Sequence, residues 1–501
     1  RPVYLLIEDG KAELRDAAHL WGKDTWETEE IIRGELGPEV RVACIGPSGE
    51  SLSLIAAVMN DKGRAAGRSG LGAVMGSKRL KAVVVKGTRP VPVASRSQLA
   101  ELRRRYLAEL KESPVAKEFR DMGTVAGMAR NVASGEAPVK NWGGAASVDF
   151  PDASAISDKA VIAQEQRKYG CWHCPVACGG LMRAGGQDHE YRAGVHKPEY
   201  ETAAAFGSMC LNDNLASIIK ANDICNRYGL DTISAGATIA FAIECYENGL
   251  ITKADTDGIE LGWGDHRAIV AMTEKLARRE GFGDVLADGV KVAAQRIGRG
   301  AEEYAMHIQG QEVPYHDPKR SPAHAPTYKV DATPARHTQG HEQYLVADLG
   351  APAFDRKAYG GRGPAHKMTA EYMHVVNSAG LCLIGSMCLA SGNAVLGFLN
   401  AVTGWELTLP QMLRVGERVA NIRQAFTSRE GLNPLDFQVP GRVLGIPPQQ
   451  EGRLAGRTVD IDLMVEDYFK AAGWDMATGK PGKEKLLELG LDDVAGALWP
   501  G

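Results

Sequence analysis

Three cysteines, Cys171, Cys174 and Cys178, are separated by two and three residues, and this spacing constrains the chain more than any other feature. With nine cysteines in 501 residues, such a triplet has a chance expectation of roughly 0.003. Thiolates are soft ligands that suit zinc, copper(I) or iron–sulfur clusters. A structural zinc site usually has a second Cys or His pair nearby, and none follows Cys178 closely. The triplet favours an iron–sulfur cluster with a fourth, distant ligand, while zinc and the absence of a metal stay open.

Length and composition exclude several classes of protein. A chain of 501 residues is long enough for roughly three domains. The net charge is −4 and the sequence has no dense Lys/Arg run, so the charge pattern does not indicate a nucleic-acid partner. No apolar run reaches the roughly 18 residues of a membrane span. An odd number of cysteines argues against a secreted disulfide framework, so we expect a cytoplasmic protein.

The pattern of apolar residues predicts an α+β fold. Short β runs at residues 3–7, 40–45 and 81–85 alternate with turns and with one helix over residues 25–36. Residues 67–78 are rich in glycine and have basic flanks, so they predict a loop that could hold an anionic group. From about residue 95 the apolar residues recur at helical spacing, and residues 215–228, 232–246 and 283–297 are each predicted to form one helix.

Two groups of ionisable residues are candidates for chemistry. Four histidines, at positions 316, 324, 337 and 341, crowd one loop. The pattern leaves three interpretations open, namely an all-histidine metal site, an acid–base role for at least one histidine, and a structural role. Glu199 and Glu201 form the other group, and they would face the same side in a strand but diverge on a helix.

A short motif occurs at the ends of two predicted helices. Its form is Asn-x-x-Gly-Leu, followed by Asp or Cys. Glycine turns the chain at such a corner, where free backbone groups can face a ligand. Two corners could hold two copies of one cofactor, and the second would supply the distant thiol that the triplet lacks. The motif residues are Asn226, Gly229, Leu230 and Asp231 in the first corner, and Asn377, Gly380, Leu381 and Cys382 in the second.

Taken together, these motifs resemble the tungsten-containing aldehyde:ferredoxin oxidoreductase family. The resemblance rests on residues 68–78, 171–178 and 198–202 and on the two corners, in the family's order. It implies a β-rich pterin-base domain over residues 1–96, followed by two mainly helical domains. The first helical domain, residues 97–305, contains the cysteine triplet and the first corner, and residues 306–501 contain the second. Because the chain begins at Arg1 rather than Met, we expect the base domain to lack its first part.

The resemblance also implies the cofactors. The family holds tungsten between two pterins beside one 4Fe–4S cluster, and molybdenum instead of tungsten and Mg²⁺ between the pterin phosphates are further expectations. Both corners begin with Asn where the family's Asp is expected. This replacement loses a carboxylate acceptor but provides a side-chain amide that can donate and accept hydrogen bonds. The implied cluster ligands are Cys171, Cys174, Cys178 and Cys382; the implied pterin contacts are Asn226, Leu230, Asp231, Asn377, Leu381 and Cys382, with Arg68 and Ser69 near the phosphates.

The implied reaction is oxidation of an aldehyde to a carboxylic acid, with electrons passing through the cluster to ferredoxin or to an iron–sulfur partner subunit. A homo-oligomer or hetero-oligomer is expected. Glu201 matches the family's base, and His337 matches its hydrogen-bond donor or acid, whereas Glu199 is the weaker candidate. The family's inter-subunit metal pair is not found around Lys220 and Asn222. Glu371-x-x-His374 has the spacing, but it lies beside the second corner, so that role is not transferred to it.

Two other functions compete with this one. The first is the related tungsten subunit of an aromatic acyl-CoA reductase of the benzoyl-CoA type. That enzyme is not expected to keep the Pro-Glu-Tyr-Glu sequence of residues 198–201, which favours aldehyde oxidation. The second is a zinc-stabilised helical protein without a redox role.

Overall fold

The computed structural model describes residues 1–186 and 188–500, and its N-terminal part is a six-stranded mixed sheet. Val3–Glu8 runs parallel to Leu80–Lys86, and the other neighbouring strands are antiparallel. In spatial order the strands are Lys11–Asp16, Val3–Glu8, Leu80–Lys86, Arg41–Cys44, Val58–Asn60 and Arg64–Ala66.

One face of this sheet is covered by the helix Thr25–Leu36. Successive side chains of a strand point to opposite faces, so alternate residues such as Tyr4 and Leu6 are buried. They form one apolar cluster with Ile32 of the helix. The helix begins at Asp24, whose side chain accepts a hydrogen bond from the backbone N–H of Glu27 in a capping box.

The rest of the chain is mainly helical. Between residues 96 and 297 the α-helices are Arg96–Glu112, Pro114–Met122, Met128–Ser134, Ala146–Asp149, Asp158–Ala163, Tyr200–Phe206, Leu215–Tyr228, Thr232–Glu247, His266–Arg278, Phe282–Leu286 and Val290–Ile297. Beyond residue 320 they are His324–Val330, Gly363–Ser378, Leu383–Leu389, Gly392–Thr403, Leu409–Arg429, Gly441–Leu444, Ile461–Ala472, Lys483–Glu488 and Asp492–Leu498. Two small antiparallel sheets pair Glu165–Tyr169 with Gly179–Met182, and His307–Ile308 with Gln311–Glu312.

The helix Thr232–Glu247 lies in the middle of the largest apolar core and is buried on nearly every side. A helix that is apolar all round belongs inside a large domain. It packs closely on the helix Tyr200–Phe206, because a Cβ added to Gly236 would lie 2.5 Å from the Cβ of Ala205. This close approach fixes the position of the helix that begins with Tyr200 and Glu201.

The predicted α+β class is confirmed, with two local corrections. Residues 67–78 are not a loop throughout, because Leu71–Ser77 is helical after a turn at Gly70, where φ is +67°. Residues 283–297 form two helices rather than one. The break falls at Gly289, where φ is +84° and the Glu312 carboxylate accepts a hydrogen bond from the N–H of Val290. The division into domains at residues 96 and 305 stays a prediction.

No single helix in the described part of the chain has the length and apolar character needed to cross a membrane. The pair Gly363–Ser378 and Leu383–Leu389 meets that criterion only when its two members are counted together, and they are bent by 118°.

Candidate functional site

A cavity of about 680 Å³ lies where the two helical regions meet. The first turn of Tyr200–Phe206 and the histidine-rich loop form two of its walls, and the start of Leu383–Leu389 forms a third. Glu201 and His337, which were predicted to act together, both line it. A cavity of this size with a few convergent polar groups is typical of a small-molecule site.

Glu201 lines this cavity and contacts groups from two other segments. Its Oε2 atom accepts a hydrogen bond of 3.0 Å from the backbone N–H of Tyr315. Its Oε1 atom lies 3.3 Å from Nε2 of His316 and 3.6 Å from Nε2 of His337. Burial raises the pKa of Glu201, while the charge of His316 and the Tyr315 N–H act in the opposite direction.

Glu199 lines the same cavity, but its carboxylate is engaged by other protein groups. It precedes the first turn of Tyr200–Phe206, and its carboxylate accepts a hydrogen bond of 2.9 Å from Arg64. The hydroxyl of Thr124 also donates to it. Because its oxygens are engaged by these partners, Glu199 is less available than Glu201 to a substrate.

His316 joins Glu201 to a second buried carboxylate, that of Glu136. Its Nδ1 atom lies 3.0 Å from Oε1 of Glu136, whose other oxygen accepts a hydrogen bond of 2.6 Å from Ser321. The ring stacks on Tyr200 at a centroid distance of 4.9 Å. Burial alone would lower the pKa of His316, but the hydrogen bond to Glu136 and the two carboxylate charges outweigh it and raise the pKa.

The other three histidines of the loop are held neutral. Burial lowers the pKa of His324 to about 4, and it lowers the pKa values of His337 and His341 well below their ordinary value, with the charge of His316 acting in the same direction on all three. His324 stacks on His316 at 5.1 Å and lies 4.2 Å from His341. An all-histidine metal site is not formed. The one group of three metal-ligating atoms within 4.8 Å of one another, among the residues described, combines Glu201 with His316 and His337.

Arg68 connects the first corner to the loop of His337. Its Nε donates to Oδ2 of Asp231 at 3.1 Å, and its terminal nitrogens donate to the carbonyl oxygens of Ala335 and Glu312. Protein acceptors therefore engage this buried guanidinium, and its predicted role near a phosphate stays a prediction. The neighbouring Ser69 donates to Gln311 at 2.8 Å. It lines a second cavity, of about 940 Å³, together with Asp231.

The two predicted corners have the same geometry. Gly229 and Gly380 adopt left-handed conformations with φ of +73° and +69°. In each corner the N–H of the leucine donates to the carbonyl five residues earlier, from Leu230 to Cys225 and from Leu381 to Val376. This is the hydrogen bond of a Schellman motif. The next residue, Asp231 or Cys382, then precedes the first turn of a new helix.

The corners differ in what covers them. Leu230 is 2% exposed and bridges to Ala56 of the sheet domain, whereas Leu381 is 42% exposed. The leucine N–H groups close the turns, so they are not the free donors that the motif suggested. The side-chain amides of Asn226 and Asn377 make no hydrogen bond to any described residue, which leaves them available to a ligand.

The four predicted thiols lie in one region. Cys174 and Cys178 contact the helix that follows Cys382, in a cluster that also contains Cys388. Burial raises the pKa of Cys178 to about 11, and Glu199, Cys382 and Cys174 add to it. Arg64 places its charge near Cys171 and Cys178, and two of its buried nitrogens have no hydrogen-bond partner in the described chain.

These thiols do not have the spacing of a zinc site. Sulfurs around tetrahedral zinc stand about 3.8 Å apart, given Zn–S bonds of about 2.3 Å. No three cysteine sulfurs in the described chain come within 4.8 Å of one another.

Sequence reasoning missed two residues of the site. Glu136 follows the helix Met128–Ser134, and nothing in its sequence neighbours marks it as a partner of His316. Arg64 stands on an edge strand of the sheet, and only the fold brings it to Glu199 and the thiols. Long-range pairing of this kind leaves no periodic signal in one sequence.

The residues present fit a large polar cofactor with two like halves. The two corners share the left-handed glycine turn, and each has an asparagine amide without a hydrogen-bond partner in the described chain. Asp231 of the first corner lines the larger cavity, and the helix after the second corner lines the smaller one. Glu201 Oε1 and His337 Nδ1 are buried without hydrogen-bond partners in the described chain, so polar groups face the space where a ligand would lie.

Comparisons with known proteins agree with this architecture. Residues 1–87 match the model of the aldehyde ferredoxin oxidoreductase N-terminal domain, and residues 101–491 match the model of domains 2 and 3. The tungsten-containing aldehyde ferredoxin oxidoreductase of Pyrococcus furiosus is 37% identical over 501 residues, which cover 98% of this chain and 80% of that protein. The enzyme of the same name from Pyrococcus abyssi is 36% identical over 98% of this chain and 80% of its own length.

More distant relatives have other activities. The aliphatic sulfonate oxidoreductase, WOR-like subunit, of Pyrococcus furiosus is 29% identical over 98% of this chain and 79% of its own length. Among solved structures, the active site complex BamBC of benzoyl coenzyme A reductase with 1,5 dienoyl-CoA superposes with a TM-score of 0.81. The superposition covers 99% of this chain and 80% of that chain at 24% identity, and it shows that the two chains have the same fold over this range.

Proposed function

The chain belongs to the aldehyde ferredoxin oxidoreductase family, and from this premise we propose that it is a tungsten–pterin enzyme that oxidises aldehydes to carboxylic acids. The observation that carries the proposal is the approach of Glu201 and His337 to 3.6 Å in one cavity, bordered by the helix after Cys382. The two residues come from distant parts of the sequence, and both match the family's reacting groups.

The reaction requires a proton acceptor. An aldehyde and one water become a carboxylic acid, with release of two electrons and two protons. The tungsten–pterin cofactor supplies the capacity to take up the electron pair when it is bound. Glu201 removes the proton from water at Oε1, and its raised pKa brings it nearer to the pH at which the protein operates.

His337 orients the substrate. Its pKa lies well below the ordinary value, so the ring is neutral and donates an N–H hydrogen bond to the carbonyl oxygen of the aldehyde. His316 holds a proton beside Glu201 and favours the ionised carboxylate. Glu201 is thus the proton acceptor and His337 the hydrogen-bond donor within one cavity.

The thiols provide the path by which electrons leave. We assign Cys171, Cys174, Cys178 and Cys382 as ligands of a 4Fe–4S cluster, with Arg64 compensating its negative charge. Trp172, next to Cys171, is 74% exposed, so the cluster lies near the surface. A ferredoxin, or an iron–sulfur subunit in a hetero-oligomer, would accept electrons there one at a time.

The proposal is tested with purified enzyme, a panel of aldehydes and a viologen dye as the electron acceptor. We expect dye reduction with at least one aldehyde, and tungsten or molybdenum with about four irons per chain. One zinc and no iron would contradict the proposal.

Reduction of an aromatic acyl-CoA is the second candidate, because the solved BamBC structure superposes on 99% of this chain. Benzoyl-CoA with a strong reductant tests it in a parallel assay. Consumption of benzoyl-CoA without any aldehyde oxidation would favour that function over the first.

A further inference from the structure

Three potential metal ligands converge in the candidate active cavity. Oε1 of Glu201 lies 3.3 Å from Nε2 of His316 and 3.6 Å from Nε2 of His337, and all three side chains offer ligand atoms within 4.8 Å of one another. Ligand atoms at about 2.0–2.1 Å from a tetrahedral zinc ion stand about 3.3 Å apart. The group is therefore close to the geometry that such an ion requires.

Groups outside this set orient two of the three ligands. Nδ1 of His316 faces Glu136 at 3.0 Å, so a ring that keeps its N–H at Nδ1 can release the Nε2 proton and offer that nitrogen to an ion beside Glu201. Oε2 of Glu201 accepts from the N–H of Tyr315, which turns Oε1 inward. A carboxylate behind a histidine and a donor behind a carboxylate are the usual outer contacts of protein metal ligands.

Hydrogen bonding within the protein leaves the centre of this group unsatisfied. Oε1 of Glu201 is buried and has no hydrogen-bond partner among the residues described. Buried oxygens without a partner are rare and usually signal a missing ion or water. One carboxylate and two imidazoles suit zinc, whereas magnesium and calcium prefer ligand sets made of oxygen alone.

We propose that Glu201, His316 and His337 form a binding site for a divalent transition-metal ion such as Zn²⁺. Water fills the remaining coordination position. Glu201 is the base in the proposed function, so Zn²⁺ at this site should inhibit aldehyde oxidation. That consequence rests on the proposed function, but the binding does not.

Calorimetric titration of the holoenzyme with ZnCl₂ tests the binding, and anomalous scattering at the zinc edge locates the ion in crystals. We expect one Zn²⁺ per chain at the three side chains and no comparable binding of MgCl₂. His316→Ala should weaken zinc binding at least about hundredfold. Glu136→Gln, which changes no ligand, should weaken it about 10- to 100-fold.

His19→Ala is the matched control. His19 forms a 3.0 Å contact with Glu35 on the surface, so it is a histidine–carboxylate pair without a third ligand. Its removal should leave zinc binding unchanged. If His316→Ala does not fold, the Glu136→Gln variant still measures the contribution of the outer contact.

Three results would overturn the site: no anomalous peak at these side chains, zinc held only at the cysteine thiols, or an affinity that neither variant changes. Zinc bound at the site without inhibition would leave the site intact. It would instead contradict the role that the proposed function gives to Glu201.

Discussion

Nε2 of His316 lies 3.3 Å from Oε1 of Glu201, in a cavity that both side chains line. Behind the ring, Nδ1 meets the carboxylate of Glu136 at 3.0 Å. A buried carboxylate favours its protonated form, and a cationic neighbour restores the ionised form. In the proposed function, the imidazole between two carboxylates would therefore tune the pKa of Glu201 and offer the proton that Glu201 accepts a next position.

Glu136→Gln should narrow the pH range of activity. Glu136 helps to raise the pKa of His316, so its loss lowers that pKa and His316 loses its proton at lower pH. Glu201 then lacks a cationic neighbour, and its own pKa rises. In a plot of kcat/KM against pH, the acid limb should shift to higher pH and the basic limb to lower pH. An unchanged profile would show that His316 does not tune Glu201.

Cys382→Ser should remove the cluster, whereas Cys388→Ser should keep it. Both cysteines belong to the same part of the fold, but Cys388 is a buried packing residue in the cluster with Cys174 and Cys178. We expect iron to fall from about four atoms per chain to nearly none in the first variant only. An iron assay with the visible spectrum decides this. Equal iron in both variants would contradict the assignment of Cys382.

Asp231→Ala should destabilise the protein strongly. Asp231 caps the helix Thr232–Glu247 and pairs with the buried Arg68, which would be left uncompensated. Breaking a buried pair costs about 3–5 kcal/mol. Asp265→Ala removes an exposed cap of another helix and should cost about 1 kcal/mol. Thermal unfolding of both variants measures the difference, and equal losses would mean that the pair with Arg68 contributes little.

Glu342→Gln should reduce the loss in the free energy of unfolding that occurs between neutral and acid pH. Burial acts to raise the pKa of Glu342, but the hydrogen bond and charge of His366 and the charge of Arg362 lower it to about 2. Its ordinary pKa is about 4.3, so the ionised form contributes stability above that pH. This contribution disappears as the pH falls through about 2. Urea unfolding at pH 7 and pH 3 should show a smaller change for the variant than for the parent chain.

Local signals in the sequence predicted much of the fold. The helix Leu215–Tyr228 has a continuous apolar period and a glycine, Gly229, directly after it, and the structure has the predicted bounds. The two corners were predictable because glycine and leucine recur at equal spacing. Gly289 was missed as a break, because a single glycine is also tolerated inside a helix and the carboxylate that accepts from the N–H of Val290 comes from Glu312 in a distant strand.

The site was predictable only in part. Glu201 and His337 were predicted from the family resemblance, and the structure brings them together. The link through His316 to Glu136 joins residues 180 positions apart, and it follows from tertiary packing rather than from any local pattern.

Glu201→Gln tests the central claim most directly, with Glu199→Gln as its neighbour control. The first variant keeps the size of the side chain but removes the base, so kcat for aldehyde oxidation should fall about 10²- to 10⁴-fold. Tungsten, iron and the visible spectrum should match the parent enzyme. Glu199→Gln should lose less than about tenfold, because its carboxylate serves Arg64. Aldehyde oxidation by Glu201→Gln at the parental rate would contradict the account.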